Sequence, residues 1–261
     1  MQKTHIPFTF TGKSGEYFKI WVVNVFLTML TLGIYSAWAK VRKKRYFYRN
    51  TLLQDAPFDY LADPIKILKG RLIICGVLVV LLITGYFLSN LVLVLVIPAI
   101  ALFPWLVVKA LAFRARNSSY RNMRFAFSVT YGQAMRVFIV QPIITIVTFG
   151  LSYPYQAYRR KVFLIDNSAY GTAPFVFLGE AASFYRIYFW QALGLSLLVG
   201  ILAKIAMAVA QSLLLASAQQ IFGQIISLLA SLTLIAFVRA AVANLVWSNV
   251  ELRGDSSHVF S

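Results

Sequence analysis

Acidic residues, histidine and cysteine are scarce in this sequence. Its 261 residues include eight Asp and Glu, two His and one Cys, against 25 Lys and Arg. A single cysteine excludes a disulfide framework and a thiolate metal site. The histidines stand at positions 5 and 258, and no acidic residue lies inside an apolar segment, so no nucleophile triad, acid–base pair or metal cluster is present. We therefore predict that the protein is not an enzyme and that it uses no cofactor or metal.

Polar side chains are also too few to cover a soluble globule. Hydrophobic residues make up 60% of the chain, charged residues 13%, and the mean hydropathy is +0.73. The stretches 72–108, 187–203 and 205–238 carry no charge, and neither do the shorter stretches 20–39 and 137–158. Because about 20 apolar residues span a bilayer, we predict a multi-pass membrane protein. The polar and aromatic start of the chain gives no sign of a removable signal peptide.

The sequence contains an internal repeat. A shift of 117 positions aligns residues 8–60 with residues 125–177 without a gap, and 13 of the paired residues are identical. Each copy holds one apolar segment followed by a basic block, and two more apolar segments follow each copy. We predict an all-α polytopic membrane protein with about six apolar helical segments in two related halves, residues 1–117 and 118–261.

A shorter aromatic signature occurs four times. A Phe is followed two positions later by a second aromatic residue, and turn-forming residues such as Gln-Asp-Ala-Pro separate the signature from the preceding basic helix. This pattern predicts short cytoplasmic β-hairpins at the membrane surface, and an interfacial aromatic belt is the alternative. The four pairs are Phe8 and Phe10, Phe58 and Tyr60, Phe125 and Phe127, and Phe175 and Phe177.

Positive charge lies in short blocks beside the apolar segments, and the net charge is +17. Such blocks are typical of cytoplasmic loops facing an anionic leaflet, so we expect a membrane protein with anionic phospholipid, not nucleic acid, as its partner. Six full crossings would divide the blocks between the two sides. If segments 20–39 and 137–158 instead enter and leave on one side, every cation except Lys204 is cytoplasmic. We favour this arrangement, with helix breaks at Gly33, Gly150 and Pro154.

Two polar stripes favour the alternative arrangement, in which segments 20–39 and 137–158 cross the membrane. In each repeat, four polar residues follow one another at the spacing of a single face of a continuous helix, which could cross the membrane. Such side chains either line a polar path or bond to their own backbone and to neighbouring helices. The stripe residues are Asn24, Thr28, Thr31 and Tyr35 in the first repeat, and Gln141, Thr145, Thr148 and Ser152 in the second.

The basic blocks are interpreted first as topology determinants and second as contacts for anionic lipid. Aromatic residues are interleaved with them, which suits contact with headgroups. Lys204 stands alone near the far end of its apolar segment, where it either snorkels or attracts an anion. The candidate lipid contacts are Lys40, Arg42, Lys43, Lys44, Arg45, Arg159, Arg160, Lys161 and Lys204.

The run TLGIYSAWAKVRKKRYFYRNT, followed by Phe58, Tyr60 and Gly70, resembles the YjgN-like family of bacterial inner-membrane proteins, a family of unknown function. The resemblance implies a multi-pass plasma-membrane protein and supplies no catalytic residues. The second repeat departs from it, since Ser152 takes the position of Tyr35. The last residues, 249–261, look like the opening of a fifth signature, which is expected of a shortened form of the family pattern; a frayed tail is the alternative.

Two functions fit these features. The first is a conduit or carrier for a small polar or anionic solute or a lipid, lined by the two stripes at the interface of the repeats. The second is a non-transporting scaffold that binds anionic lipid or a partner protein through its basic face. Either is compatible with a homo-oligomer.

Overall fold

A computed structural model describes residues 4–87, 92–213, 216–253 and 258–260. Two of the helical regions contain short π-helical turns, Arg136–Val140 and Arg186–Gln191. The elements are β1 (Thr4–Ile6), β2 (Phe8–Phe10), α1 (Ser14–Leu30), α2 (Ser36–Arg49), β3 (Thr51–Leu53), β4 (Ala56–Tyr60), α3 (Pro64–Phe87), α4 (Val92–Arg116), β5 (Ser118–Tyr120), β6 (Met123–Phe127), α5 (Tyr131–Met135), α6 (Gln141–Val147), α7 (Tyr153–Asp166), β7 (Ser168–Tyr170), β8 (Ala173–Phe177), α8 (Ala181–Tyr185), α9 (Ala192–Leu213), α10 (Ala216–Trp247), β9 (Val250–Leu252) and β10 (His258–Phe260).

One arrangement recurs four times along the chain: a strand, a pair of antiparallel helical arms, and a second strand that pairs with the first. The four strand pairs are β2 with β3, β4 with β5, β6 with β7, and β8 with β9, and all are antiparallel. The helical arms are short in the first and third units and long in the second and fourth. The repeat of 117 residues therefore corresponds to one short unit followed by one long unit.

An asparagine fixes the junction between helix and strand in each unit. Its side-chain amide donates to the carbonyl four residues earlier, at 2.7–2.8 Å. Its own carbonyl accepts the N–H of the residue that follows the signature, at 2.8–3.1 Å. The paired strands are thereby held in the same register in every unit. These residues are Asn50, Asn117, Asn167 and Asn249.

Tight turns join one unit to the next. Gln54 and Asp55 connect β3 to β4, and Arg121 and Asn122 connect β5 to β6, all four with positive φ. Two central residues with positive φ match the right-handed twist of the strands they connect. The predicted β-hairpins are therefore present, but each hairpin also pairs with its neighbours.

The strands form a single curved sheet, so the protein is mostly helical rather than all-α, and the predicted hairpins are joined to one another. The strand order is β1-β10-β9-β8-β7-β6-β5-β4-β3-β2. Strands β1 and β2 lie at opposite ends of this order, yet only Pro7 separates them in the chain, so the two edges must approach each other. The rings of Phe8 and Trp247, from the two ends of the antiparallel part, lie 6.1 Å apart.

The protein is mostly helical, and the described residues include four helical segments long and apolar enough to span a membrane, one of which runs from α8 through the π-helical turn into α9. Their apolar side chains are largely exposed, which is expected of a lipid-facing surface. The turn predicted near Ser89 and Asn90 lies outside the described residues, as do positions 214–215 of the turn predicted at 211–220. The candidate spans are Pro64–Phe87, Val94–Arg116, Ala181–Ala208 and Ile221–Trp247.

The predicted break at Gly33 is confirmed. Helix α1 ends with the N–H of Gly33 bonded to the carbonyl of Thr28 at 2.8 Å and the N–H of Leu32 bonded to that of Met29 at 3.1 Å. This is the Schellman arrangement, which requires a left-handed residue after the helix. Leu32 fills that position with φ 49°, although glycine is the usual residue there, and Gly33 follows at φ 91°.

The same break occurs 117 residues later. Phe149 has φ 51° and Gly150 has φ 86°, and the N–H of Gly150 bonds to the carbonyl of Thr145 at 2.8 Å. Pro154 does not form the break but lies in the first turn of α7, where its missing N–H leaves no bond unmade. Leu32 and Phe149 are 95% and 97% exposed, so each hairpin presents a bulky apolar tip.

Each short hairpin returns to the end of the molecule from which it started. The hydroxyl of Tyr46, near the end of α2, donates to the carbonyl of Lys13 at 2.8 Å and accepts its N–H at 2.9 Å. The N–H of Thr11 reaches the carbonyl of Asn50 at 2.9 Å. Residues before α1 and after α2 are thus neighbours, and the alternative of one continuous helix through the stripe is wrong.

The buried core lies between the sheet and the helix ends that rest on it. Tyr60 from β4 and Phe184 from α8 are almost completely buried, and so is Ala134 from α5. Three clusters follow one another around the sheet, each combining the second aromatic of a signature with residues of the adjoining helices. The signature aromatics Tyr60, Phe127 and Phe177 therefore anchor helices to the sheet.

Candidate functional site

The first polar stripe is satisfied mainly by its own helix. The hydroxyl of Thr28 donates to the carbonyl of Asn24 at 2.6 Å, and that of Thr31 donates to the carbonyl of Leu27 at 2.7 Å. Thr31 Oγ1 also accepts the N–H of Tyr35 at 2.9 Å, across the break. These bonds terminate α1 and orient the turn.

The second stripe forms a closed network inside its own hairpin. The hydroxyl of Thr145 donates to Gln156 Oε1 at 2.9 Å, Ser152 donates to Thr145 Oγ1 at 3.1 Å, and Thr148 lies 3.0 Å from Ser152. Gln156, on α7, is buried and was not singled out by the sequence because Ala39 occupies the matching position in the first repeat. The network joins α6 to α7.

The two stripes are not brought together. Within the described residues, no hydrogen bond links a member of one stripe to a member of the other. Asn24 and Gln141, the matching first members, each keep one buried side-chain oxygen with no partner in the part of the chain described. The contacts of the stripes are therefore local, and a common path lined by both stays a prediction.

The basic block of α2 surrounds one half-buried lysine. Lys40, Arg42, Lys43 and Arg45 are exposed. Lys44 instead lies over the ring of Tyr60, with Nζ 4.6 Å from the centroid. Burial, and then the positive charges of Arg114 and Lys40, lower the pKa of Lys44 to about 8. An anion that binds beside a half-buried amine of this kind stabilises its protonated form.

We expect Lys44 to be the most reactive amine of α2. At pH 8 about half of its side chains are neutral, whereas an ordinary lysine is less than about 1% neutral. Acetic anhydride at pH 8, followed by mass spectrometry, should modify Lys44 at least about ten-fold faster than Lys40. Arg114→Gln should slow that reaction because it raises the pKa of Lys44.

The pH dependence of stability has a definite sign here. Because the pKa of Lys44 is lowered on folding, the unfolded chain binds more protons between about pH 8 and 10.5, and stability should rise with pH across that window. Equal modification rates at Lys40 and Lys44, or a difference between these two rates that does not change with pH, would contradict the lowered pKa of Lys44.

The second basic block repeats part of this pattern. Lys161 occupies the position that matches Lys44, and burial, followed by the charge of Arg160, lowers its pKa. The guanidinium of Arg160 lies 5.7 Å from the ring centroid of Phe138, and Arg160 is exposed. Arg159 lies near Asp166, whose carboxylate accepts the N–H of Phe177 at 2.8 Å.

The first aromatic of each signature forms a row across the concave face of the sheet, which we call the aromatic row: Phe8, Phe58, Phe125 and Phe175. Neighbouring rings lie 6.1, 6.4 and 6.3 Å apart and are inclined by only 19–30°. Tyr120 and Tyr170 stand beside the row, 4.7 Å from Phe58 and 5.2 Å from Phe125. The signature thus places one aromatic in the core and one on this inner wall.

The aromatic row lines a cavity of about 540 Å³, which we call the sheet cavity. Its remaining walls come from the ends of α2, α4, α7 and α10, including Tyr48, Leu111, Leu164 and Val246. Two cations also line it, Arg114 and Lys161. Sequence reasoning missed Arg114 because it lies outside the repeated segment, and it missed the cavity because the units that enclose it are far apart in sequence.

Lys204 lies apart from this region. It is exposed on α9, four residues before the end of the candidate span, and faces a shallow groove with α10 that includes Gly200 and Gly223. This position suits snorkelling to the membrane surface. The sequence-predicted cations therefore fall into two groups near the sheet and one isolated residue.

The chain matches, over residues 5–261, the family described as "Bacterial protein of unknown function (DUF898)". It is 35% identical over 145 residues to "Inner membrane protein YjgN" of Salmonella typhimurium (strain LT2). It is 31% identical to the proteins of that name from Escherichia coli O157:H7, over 144 residues, and Escherichia coli K12, over 151 residues. No solved structure matches the chain at a significant level.

These alignments cover 53–55% of this chain and 35–36% of each relative, so the matched part is about a third of the length of the curated relatives. The relatives are inner-membrane proteins, and the chain has four helices able to span a membrane. The predicted inner-membrane location and the resemblance to the YjgN-like family are thereby confirmed.

Proposed function

The chain belongs to the DUF898 family of bacterial proteins of unknown function, and for this member we propose a non-catalytic scaffold that binds anionic phospholipid of the cytoplasmic leaflet. The observation that carries the proposal is the construction of the two short hairpins. Each has a fully exposed apolar tip, at Leu32 or Phe149, and a block of cations a few turns further along the same hairpin.

The distance between tip and cations matches one leaflet. Lys40 follows Leu32 by eight residues and Arg159 follows Phe149 by ten, which is about 12–15 Å along a helix that rises 1.5 Å per residue. The hydrocarbon core of a bilayer is about 30 Å thick. With its tip buried in one leaflet, each hairpin therefore holds its cations level with the headgroups of that leaflet. The four long helices supply the crossings in this arrangement.

Two cations of α2 are available to contact lipid headgroups. Arg42 and Lys43 are exposed, and neither forms an ion pair within the described part of the chain; Lys43 lies 5.8 Å from the ring centroid of Tyr17. Trp38, whose ring stacks on Tyr35 at 6.2 Å, lies one turn before the block. Each cation beside an anionic surface contributes about 1 kcal/mol to binding.

The carrier interpretation has less support. It depends on two stripes that share a path, whereas Thr28, Thr145 and Ser152 bond within their own hairpins. A hairpin that reaches only one leaflet also offers no route across the bilayer. The scaffold interpretation uses the basic and apolar surfaces as they stand.

The test is the selectivity of the full chain for phosphatidylglycerol over phosphatidylcholine, measured with spin-labelled lipids in reconstituted bilayers. The double variant Arg42→Gln and Lys43→Gln should lose about ten-fold or more of that selectivity, because two cations of about 1 kcal/mol each are removed. Arg121→Gln with Arg124→Gln is the matched control. Both residues are exposed and lie in or beside the turn between β5 and β6, and Arg121 lies over the ring of Tyr120 as Lys43 lies over that of Tyr17. Equal loss in both double variants would overturn the proposal.

A further inference from the structure

The sheet cavity has a continuous aromatic wall and two cations that form no ion pair within the described residues. Arg114 and Lys161 line it, and within the described residues neither has an ion pair or a side-chain hydrogen bond. No Asp or Glu is present among its described lining residues. We propose that this cavity is a binding site for a single-chain amphiphile carrying one carboxylate or phosphate head.

Four other polar groups of the cavity already have partners. Tyr120 donates its hydroxyl to the carbonyl of Leu53 at 2.6 Å, and Tyr170 donates to the carbonyl of Tyr120 at 3.0 Å. Ser168 donates to the carbonyl of Leu164 at 2.7 Å, and Ser118 to that of Arg114 at 2.9 Å. The two cations are the charged donors of the cavity and have no ion pair within the described residues, so an acidic group is the ligand feature that the site selects.

The apolar part of the ligand follows from the wall. Because the rings of the aromatic row already contact one another at 6.1–6.4 Å, they form a continuous surface with no slot for a planar base between them. A flexible acyl chain can lie along such a surface, with Leu111 and Val246 opposite. The volume of about 540 Å³ lies in the range of small-molecule sites.

The location gives such a ligand a way in. Arg114 is exposed near the end of the candidate span Val94–Arg116, where the helix meets the sheet. An amphiphile in the membrane surface can present its head to Arg114 while its chain enters between the helix ends. Burial around Lys161 strengthens its interaction with an anion relative to an exposed lysine.

The site is separate from the headgroup contacts proposed above, because Arg114 and Lys161 line the sheet cavity, whereas Arg42 and Lys43 do not. The test is isothermal titration of the full chain, in phosphatidylcholine nanodiscs, with decanoate, decyl phosphate and decanol, corrected with empty nanodiscs. Decanoate and decyl phosphate should bind at least about ten-fold more tightly than decanol. Their ratio distinguishes a free fatty acid from a lysophospholipid as the natural ligand.

The variants locate the binding. Arg114→Gln and Lys161→Gln should each weaken decanoate binding about ten-fold and leave decanol binding unchanged. Arg116→Gln, an exposed cation two residues further along α4 that is not part of the lining, should have no effect. Arg42→Gln with Lys43→Gln should also leave decanoate binding unchanged, so failure of the scaffold proposal and failure of this one are distinguishable.

Three results would overturn the inference: decanol binding as tightly as decanoate, wild-type affinity for decanoate in the double variant Arg114→Gln and Lys161→Gln, or displacement of decanoate by no anionic amphiphile except intact phosphatidylglycerol. Phe58→Ala removes part of the wall and should weaken all three probes together. The cation variants keep the test decisive if that variant fails to fold.

Discussion

Single cysteines at Asp55, Asn122 and Thr172, each in a Cys75→Ser background, are expected to react with a membrane-impermeant maleimide from one side only, the cytoplasmic side. All three lie in the tight turns that connect neighbouring units of the same sheet. Antiparallel neighbours with the same register place these turns along one edge of the sheet, opposite the helices. The connected strands are three to five residues long, far too short to cross a bilayer.

The effect is all or none, which makes it the strongest test of the architecture. Labelling should be complete from the cytoplasmic side of sealed vesicles and absent from the other side. Tyr86→Cys and Ile221→Cys, at the far ends of α3 and α10, provide the opposite control and should react only from outside. If Asp55→Cys and Thr172→Cys labelled from opposite sides, the two halves would be inverted and the single sheet could not exist.

Local patterns in the sequence predicted the local parts of the fold. The charge-free windows located the long helices, and the glycines with positive φ at 33 and 150 marked real helix breaks. The aromatic signature and its turn residues predicted hairpins, since two-residue turns depend only on nearby residues. Each of these signals lies within about ten residues of the feature it specifies.

The closure of the sheet could not be predicted in the same way. Strand β4 pairs with β5 across the whole of α3 and α4, and β8 pairs with β9 across α8 to α10. A strand of three residues carries too little periodicity to show a partner more than 50 residues away. The four asparagines were the available clue, since each stands at the junction between a helix and the strand that follows it, yet their hydrogen bonds become evident only in three dimensions.

The sequence indicated some residues of the candidate site and missed others, because only local or repeated patterns could be recognised in it. Lys44 and Lys161 are identical in the repeat, so the sequence indicated both. Arg114 lies outside the aligned segments, and it lines the same cavity as Lys161 only because the sheet is curved. The stripes were predicted as single helical faces, whereas each one crosses a helix break, and their spacing could not distinguish a lining from internal hydrogen bonds.

Those internal bonds predict different effects for two matched substitutions. Thr145→Val should destabilise the protein by about 1–2 kcal/mol, because it removes a partner of both Gln156 and Ser152 and leaves the buried side-chain oxygen of Gln156 unpaired. Thr28→Val, at the equivalent position of the first repeat, should cost less than about 0.5 kcal/mol, because that hydroxyl only returns to the carbonyl of its own helix. Unfolding in mixed detergent and sodium dodecyl sulfate micelles measures both.

A third variant separates loss of a hydrogen bond from loss of packing. When Thr145→Val is combined with Gln156→Leu, the unpaired acceptor disappears, and part of the stability should return, since replacing both partners of a buried bond costs less than removing one. A double variant as unstable as the sum of the two single variants would mean that Gln156 is held by other contacts. Equal destabilisation by Thr28→Val and Thr145→Val would mean that the two stripes are energetically alike, and the network in the second hairpin would then lose its role in joining α6 to α7.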